Sequence, residues 1–271
     1  MTPTWTILVP TLGQRGEYLC QMLDGLLPQV DRARGVKVLA YWDNGEVDVA
    51  TKKQALLEAA DTDYVSFVDD DDTVSDDYVS AITKALALRP EYVGLKLQVY
   101  KDGLPYALSH HSLSHGTWLD VGADHLRRDI TCANPIRTDL ARTAKFIGAP
   151  LGQPEDRHWV AQLRGRLRLE VFVDRILYHY WWNPSMSAWV DPTAQIRRFD
   201  DNGDPWRPLD IGSPNFAWHP ASPLPEGHPV GPPPRYRPGT HSNVEHPAPA
   251  DRVVAHRGVG VSRLAHRGRR R

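Results

Sequence analysis

Three apolar, β-prone runs alternate with three amphipathic stretches in the first 90 residues of the chain. The runs are short and almost continuously apolar, which is typical of strands covered on both faces. The stretches between them repeat apolar residues at helical spacing. The predicted strands are Trp5–Pro10, Val36–Asn44 and Asp63–Val68, and the predicted helices are Glu17–Leu27, Val49–Ala60 and Ser75–Leu88, the last one capped at Ser75. This alternation predicts βαβ units and a mostly parallel sheet flanked by helices.

The pattern after residue 90 is less regular. A hairpin is predicted over Glu91–Leu108, with its turn at Asp102-Gly103, and residues 109–131 look irregular and rich in histidine. Further elements are predicted as helices at Thr138–Ala144 and Glu155–Leu163 and as two strands within Arg168–Trp182. Proline, glycine and arginine dominate the chain from residue 200 onward. We therefore expect one α/β domain over residues 1–199 and an irregular, flexible extension over residues 200–271.

The two ends of the chain differ in charge. The formal net charge of the 271 residues is −1, yet residues 221–271 contain nine arginines and only three acidic residues. A mildly acidic body therefore carries a basic, Pro-rich tail. Such a tail predicts either a solvated, disordered end or a weak and non-specific contact with nucleic acid.

The cysteines and the hydropathy of the chain exclude several classes of protein. Two distant cysteines, Cys20 and Cys132, do not form a disulfide scaffold, and no Cys/His spacing predicts a zinc site. No apolar run approaches the ~20 residues of a membrane-spanning helix. The N-terminus lacks a basic region and reaches Pro10 too early for a signal peptide. We expect a cytoplasmic protein without a membrane span.

Polar residues follow each of the three predicted strands. Pro10-Thr11 ends the first, Asp43 ends the second, and four consecutive aspartates, Asp69 to Asp72, follow the third. In open parallel sheets, ligands bind beyond the carboxyl ends of the strands. The aspartates could form a solvated loop or a helix cap, but their position also suits a hard cation such as Mg²⁺ or Mn²⁺. Because alternate strand residues point the same way, Asp69 and Asp71 are expected to face one cation, with Asp70 pointing elsewhere.

Residues 4–80 resemble the family 2 glycosyltransferases, which have the glycosyltransferase A fold. The matching segments are TILVPTL (Thr6–Leu12), AYWDNG (Ala40–Gly45) and KKQALLEAADTDYVSFVDDDD (Lys52–Asp72), followed by Tyr78. The resemblance implies an α/β catalytic domain of the glycosyltransferase A type with a Rossmann-like sheet. It also implies that residues 1–90 form a nucleotide-sugar-binding half and residues 91–199 an acceptor half.

The resemblance assigns donor-binding roles at the ends of the first two strands. It places Pro10 and Thr11 at the nucleotide base and Asp43 on the imide of that base, which suggests a UDP- or dTDP-type donor. The family has a basic residue before the second helix that approaches the nucleotide. Here the matching residue is Lys52, which the resemblance puts near the base or the phosphates.

The resemblance also assigns the aspartates, through the family's DxD motif for ribose and a divalent metal. It implies that Asp69 and Asp71 are the working pair, with Asp69 and Asp70 on the nucleotide sugar. Asp72 is implied as a further metal ligand or as an acceptor-side group, since four aspartates in a row permit two registers. The implied cofactor is Mn²⁺ or Mg²⁺.

Two further segments resemble family motifs in the second half of the domain. GQPEDRHWVAQL (Gly152–Leu163) is similar to the family's ED motif, which implies that Asp156 is the general base. The alternative is that Asp156 is an ordinary acid in the first turn of a helix. YHYWWNPSMSAW (Tyr178–Trp189) is similar to a segment in which a histidine completes the metal site. In this chain His179 or Asn183 would take that place, unless His179 is simply packed or hydrogen-bonded.

These features favour an inverting, metal-dependent glycosyltransferase that uses a nucleotide-diphosphate sugar. The acceptor stays open between a glycan, a protein, a small molecule and a modified DNA base. A nucleotidyltransferase shares the strand-end aspartates, but its Gly-rich loop is poorly matched by PTLGQRG (Pro10–Gly16). A third possibility is a nucleic-acid-binding or virion-associated protein with a degenerate form of the fold.

Overall fold

The structure, a computed structural model, describes residues 2–116, 118–122, 124–182 and 213–222. The predictions for Asn183 and for the basic tail lie outside these residues. Within the described ranges, no helix has both the length and the apolar character needed to cross a membrane.

Eleven strands and five helices are present in the described residues. The strands are β1 (Trp5–Leu12), β2 (Val36–Asp43), β3 (Tyr64–Phe67), β4 (Thr73–Val74), β5 (Tyr92–Lys101), β6 (Leu104–His111), β7 (Leu119–Gly122), β8 (His125–Arg128), β9 (Ile136–Arg137), β10 (Glu170–Trp182) and β11 (Phe216–Trp218). The helices are α1 (Gly16–Val30), α2 (Val49–Ala59), α3 (Tyr78–Leu86), α4 (Thr138–Ala141) and α5 (Glu155–Leu163). Single 3-10 turns lie at Gly13–Arg15 and Leu113–His115.

The described strands all belong to one mixed sheet. Strands β2, β1 and β3 lie side by side and run parallel, and β9 joins β3 to β5 through antiparallel pairs. Strands β6, β8 and β7 extend the sheet beyond β5. Strand β10 runs parallel to β5 and also pairs with β4, which directly follows the aspartates. The carboxyl ends of β1 to β3 and the last third of β10 therefore meet in one region.

The central strands are buried on both faces, which accounts for their continuous apolar runs. Along β1, Trp5, Ile7 and Val9 belong to a core that includes side chains of α1 and α3. Leu8 points to the opposite face, where it shares a second core with side chains of α2 and α5, including Trp159. The alternation of side chains along a strand thus divides one apolar run between two cores.

The predicted βαβ units are confirmed, because the first three strands and the first two helices form close to the predicted bounds. The hairpin of β5 and β6 is also confirmed. Its turn residues Asp102 and Gly103 have φ values of 51° and 77°. Two residues with positive φ are what the right-handed twist of a two-residue hairpin requires.

The predicted start of α3 at Ser75 is wrong. The helix begins at Tyr78, and its first turn contains no acidic residue. Ser75 instead continues the pairing of β4 with β10, since its backbone N–H donates to the Leu177 carbonyl at 3.1 Å. Its hydroxyl donates to the Asp77 carboxylate at 3.0 Å and caps nothing in the helix.

Two further expectations for the second half are corrected. Residues 109–131 are not irregular, because they contain the end of β6 and all of β7 and β8. Every residue of β7 is exposed, so the brief alternation of its sequence, LDVG, buries no apolar face. The segment Arg168–Trp182 contains one strand, Glu170–Trp182, not two, and its pairing register with β5 shifts between Val173 and Tyr178.

Strand β11 is an edge strand that the sequence pattern did not predict. It runs parallel to β2, and its segment donates and accepts backbone hydrogen bonds along that strand. The His219 ring stacks on Tyr41 at 4.7 Å between ring centroids. Residues 213–222 therefore pack on the sheet although they lie beyond residue 199, the predicted end of the domain.

Gly94 of β5 provides a test of the packing between β5 and β10. A Cβ atom at this position would lie 2.6 Å from the Phe172 ring and 2.8 Å from the His111 carbonyl oxygen, and it would also meet the Glu170 carboxylate. We expect Gly94→Ala to lower the free energy of unfolding by about 1–3 kcal/mol, because packed strands must shift to admit the methyl group. Equilibrium denaturation in urea measures the change.

The matched control is Gly25→Ala, since no atom lies within 4 Å of a Cβ added to Gly25 in α1. Replacing glycine by alanine inside a helix is expected to raise the free energy of unfolding by up to about 1 kcal/mol. Equal stability of Gly94→Ala and the natural chain would contradict the described packing of β10 on β5.

Candidate functional site

The four aspartates form a turn and do not extend β3. Strand β3 ends at Phe67, and the backbone N–H of Asp72 donates to the Asp69 carbonyl at 3.1 Å. The expectation that Asp69 and Asp71 share one face through strand alternation is therefore wrong. The contacts of each aspartate follow instead from the turn and from the elements around it.

Arg15 pairs with two of these aspartates and was not predicted. It ends the 3-10 turn that follows β1. Its Nη2 atom lies 2.7 Å from Oδ1 of Asp70 and 2.6 Å from Oδ2 of Asp71. The second oxygen of Asp70 accepts a hydrogen bond from the Thr11 hydroxyl at 2.6 Å. The only sequence signal for this contact was a single arginine shortly after the end of the first strand.

Asp72 is held by β10. The Tyr178 hydroxyl donates to Oδ2 of Asp72 at 2.7 Å, and the backbone N–H of Trp181 donates to Oδ1 at 2.9 Å. The same Tyr178 hydroxyl accepts from the Asp69 backbone N–H at 3.2 Å. Asp72 is 1% exposed, so these bonds replace the water that its carboxylate has lost.

Burial is the largest influence on the pKa values of the aspartates in the turn. It raises the pKa of Asp70 to about 7, although Arg15 acts in the opposite direction. Burial also raises the pKa of Asp71 and raises that of Asp72 well above its ordinary value. Burial alone would lower the pKa of Arg15, but the charges of Asp70 and Asp71 outweigh it and raise that pKa. The turn thus strongly favours a cation beside it.

The residues predicted at the nucleotide base are close together at the ends of β1 and β2. Pro10 pairs with Tyr41 across these strands. Nζ of Lys52 donates to the Thr11 carbonyl at 2.8 Å and lies 2.5 Å from Oδ1 of Asp43. Burial lowers the pKa of Lys52, and the hydrogen bond and charge of Asp43 oppose this effect.

Asp43 organises the loop after β2. Its two oxygens accept backbone hydrogen bonds from Gly45 at 3.1 Å and from Val47 at 2.6 Å, in addition to the ion pair with Lys52. The side chain is 1% exposed. Asp43 therefore shapes the loop on which a base would rest, and its predicted contact with the imide of that base stays a prediction.

Asp156 lies in the first turn of α5. Its neighbour Glu155 pairs with Nζ of the buried Lys53 at 2.8 Å. Burial raises the pKa of Asp156; the charge of Lys53 lowers it, whereas those of Glu155 and Asp69 raise it. The structure thus brings the predicted base close enough to Asp69 for the two charges to interact.

Neighbouring residues of β10 point to opposite faces of the strand. Tyr180 is on the face of Tyr178, and burial followed by the charges of Asp72, Asp69, Asp71 and Asp156 raises its pKa. Tyr180 is therefore a site residue that the sequence analysis missed. His179 points the other way, with Nδ1 3.4 Å from the Thr73 hydroxyl and its ring against Tyr100.

The predicted metal ligands do not assemble into one set. Asp71 pairs with Arg15, and Asp72 accepts hydrogen bonds from β10. His179 lies on the other face of β10. In the part of the chain that the structure describes, no group of three or more histidine, cysteine or acidic side chains is arranged to hold a metal ion.

Comparison with known proteins identifies the fold. No protein-family model and no curated protein matches the chain. S. aureus TarS 1-349 aligns with it over 66% of this chain and 60% of that one, at 14% identity and a TM-score of 0.50. TarS 1-349 in complex with UDP-GlcNAc aligns over 66% and 59%, also at 14% identity and a TM-score of 0.50. The chain spans about three fifths of the TarS fragment that it matches. TarS has the glycosyltransferase A fold, so the predicted fold class is confirmed.

The hydroxyl of Tyr178 provides a test of the site's construction. We expect Tyr178→Phe to lower the free energy of unfolding by about 1–3 kcal/mol, because it removes a hydrogen bond from the buried Asp72 carboxylate. The matched control is Tyr180→Phe, on the same face of β10 but 40% exposed, with an expected change within about 0.5 kcal/mol. Urea denaturation of the two variants decides the point, and equal stabilities would contradict the described bond.

Proposed function

We propose that the chain is a glycosyltransferase that takes a sugar from a nucleotide-diphosphate donor, with UDP as the favoured nucleotide. The observation that carries the proposal is the convergence of Thr11, Lys52, the Asp69–Asp72 turn and Asp156 at the carboxyl edge of a glycosyltransferase A-type sheet. TarS, which shares this fold, has been solved in complex with UDP-GlcNAc. The base would rest on the loop after β2, and the diphosphate would lie against the turn.

Asp156 is the group best placed to act as general base. In an inverting transfer, its carboxylate takes the proton of the acceptor hydroxyl while the hydroxyl oxygen attacks the anomeric carbon. The bond from that carbon to the diphosphate oxygen breaks, and the nucleoside diphosphate leaves on the opposite side. Asp156 is only partly exposed, and the charge of the buried Lys53 acts on its carboxylate.

A divalent metal was predicted to assist this reaction. The arrangement of the predicted ligands does not fit one metal, because Asp71 faces Arg15, both oxygens of Asp72 accept hydrogen bonds, and His179 faces Thr73. No step of the mechanism is therefore assigned to a metal. Transfer activity measured in EDTA and in Mn²⁺ or Mg²⁺ tests the predicted metal requirement directly.

The Asp156→Asn variant tests the base. We expect its transfer rate to fall by about 10²–10⁴-fold, because an amide cannot accept the acceptor's proton, while the chain keeps its fold. The assay measures release of UDP from UDP-sugars after a screen for the donor and acceptor. A parallel assay with UTP and a sugar 1-phosphate tests the nucleotidyltransferase alternative, because release of pyrophosphate from that pair would identify it.

The matched control is Asp139→Asn, because Asp139 is also an acid in the first turn of a helix but is exposed. Its transfer rate should stay within about twofold of that of the natural chain, as expected for a surface position. Full activity of Asp156→Asn would remove this residue from the mechanism.

The pH dependence of transfer provides a second test. Burial raises the pKa of Asp156 and the charge of Lys53 lowers it. A base must be deprotonated, so kcat/KM should fall as the pH drops through this pKa. Lys53→Met removes the positive charge, and we expect the acid limb of the profile to move to higher pH.

The control for this shift is Lys145→Met, since Lys145 is exposed and pairs with Glu58 at 3.0 Å. Its profile should coincide with that of the natural chain. An acid limb that stays in place or moves to lower pH in Lys53→Met would contradict the coupling of Lys53 to Asp156.

A further inference from the structure

Arg15 connects the two neighbouring strands that carry the donor side of the site. The 3-10 turn Gly13–Arg15 leaves the end of β1, and the guanidinium reaches the turn after β3, the strand that pairs with β1. The Arg15 side chain is 21% exposed, whereas that of Asp70 is 2% exposed. Arg15 and Asp71 thus keep a solvent-accessible part, whereas Asp70 is closed off from solvent.

The position of Nη2 is the one that a bridging cation would take. This single atom lies within 2.7 Å of a carboxylate oxygen of Asp70 and within 2.6 Å of one of Asp71. A magnesium ion would need carboxylate oxygens at about 2.0–2.1 Å in near-octahedral geometry. The guanidinium supplies its positive charge at the same oxygens without that geometry.

Arg15 keeps hydrogen-bonding capacity for a ligand. Its Nε atom is buried and has no hydrogen-bond partner among the described residues, and Oε1 of Gln14, the preceding residue, has none either. Nη2 is close enough to Asp70 and Asp71 for ion pairs but does not meet hydrogen-bond geometry with either carboxylate. A guanidinium carries five N–H donors in a planar fork that suits phosphate oxygens. Unpartnered buried polar groups are costly, so the unpaired Nε donor of Arg15 favours a ligand that can accept its hydrogen bond.

We propose that Arg15 is the fixed cation of the donor site and binds the diphosphate of the nucleotide sugar in place of a divalent metal. This inference rests on the proposed function, because it assumes a nucleoside diphosphate as the ligand. When the bond between the anomeric carbon and the diphosphate breaks, the bonding electrons remain on the diphosphate oxygen. The guanidinium compensates this new charge and keeps all of its protons, since arginine does not deprotonate in proteins.

Two binding measurements on the full chain test the proposal. Calorimetry measures the affinity for UDP in EDTA and in Mn²⁺, and electron paramagnetic resonance measures the binding of Mn²⁺ alone. For the natural chain we expect UDP to bind equally well, within about twofold, in EDTA and in Mn²⁺. In EDTA, Arg15→Ala should weaken UDP binding by about tenfold or more, as expected for a lost charge-assisted contact.

The same substitution should expose the carboxylates to metal. We expect Arg15→Ala to bind Mn²⁺ at least about tenfold more tightly than the natural chain, because Asp70 and Asp71 lose their cation. Arg15→Lys, which keeps the charge, covers the case in which Arg15→Ala does not fold. It should still exclude Mn²⁺ but bind UDP more weakly in EDTA, since lysine lacks the planar fork. The matched control is Arg34→Ala, because Arg34 is exposed after α1.

Three results would overturn the proposal. The first is UDP binding by the natural chain that is lost in EDTA, and the second is UDP binding that Arg15→Ala leaves unchanged. The third is Mn²⁺ binding that is equally tight in the natural chain and in the variant. If no nucleotide binds to any variant, the proposed function fails, and the Mn²⁺ arm still decides whether Arg15 occupies the cation position.

Discussion

Four carboxylates in one turn at the end of a buried strand repel one another and lose hydration, so the turn requires compensation from elsewhere in the chain. The structure supplies it from two directions. Arg15 and the Thr11 hydroxyl approach from the end of β1, and Tyr178 and the Trp181 backbone approach from β10. The contact between residues far apart in sequence is therefore a condition for folding the turn, and the sheet order is what makes it possible.

This constraint also arranges the chemistry. The compensating groups occupy the Asp70 and Asp72 carboxylates and hold the turn rigid, while Lys53 and Glu155 anchor the first turn of α5. Asp156 and Tyr180 both lie close enough to this acidic turn for its charges to act on them. A donor held at the turn and an acceptor held near Asp156 would meet between them, which is the arrangement that a single displacement at an anomeric carbon needs.

The sequence predicted those parts of the molecule whose signals are local. Apolar runs and helical spacing located β1 to β3, α1 and α2, and the Asp102-Gly103 turn located the hairpin. Strand β7 was not predicted because its residues are exposed on both faces. Strand β11 was not predicted because three residues among prolines are too few to show a hydrophobic period.

Most residues of the candidate site could be predicted from the sequence, but the contacts between them could not. The aspartates lie at the strand ends, as the topology predicted. Asp156 lies in the first turn of α5, close enough to Asp69 for their charges to interact. The roles within the aspartate run were inferred from strand alternation, which fails once the chain turns at Asp69. Arg15 was missed because its partners lie more than 50 residues away, and no local pattern reports an ion pair of that kind.

A crystal structure of the full chain grown with UDP and Mn²⁺, with anomalous data collected at the manganese edge, tests the central claim most directly. The account predicts the diphosphate against Arg15, with the guanidinium still between Asp70 and Asp71 and no manganese peak at that place. A manganese ion bound by the aspartates with Arg15 displaced, or UDP bound away from the carboxyl ends of the strands, would contradict it.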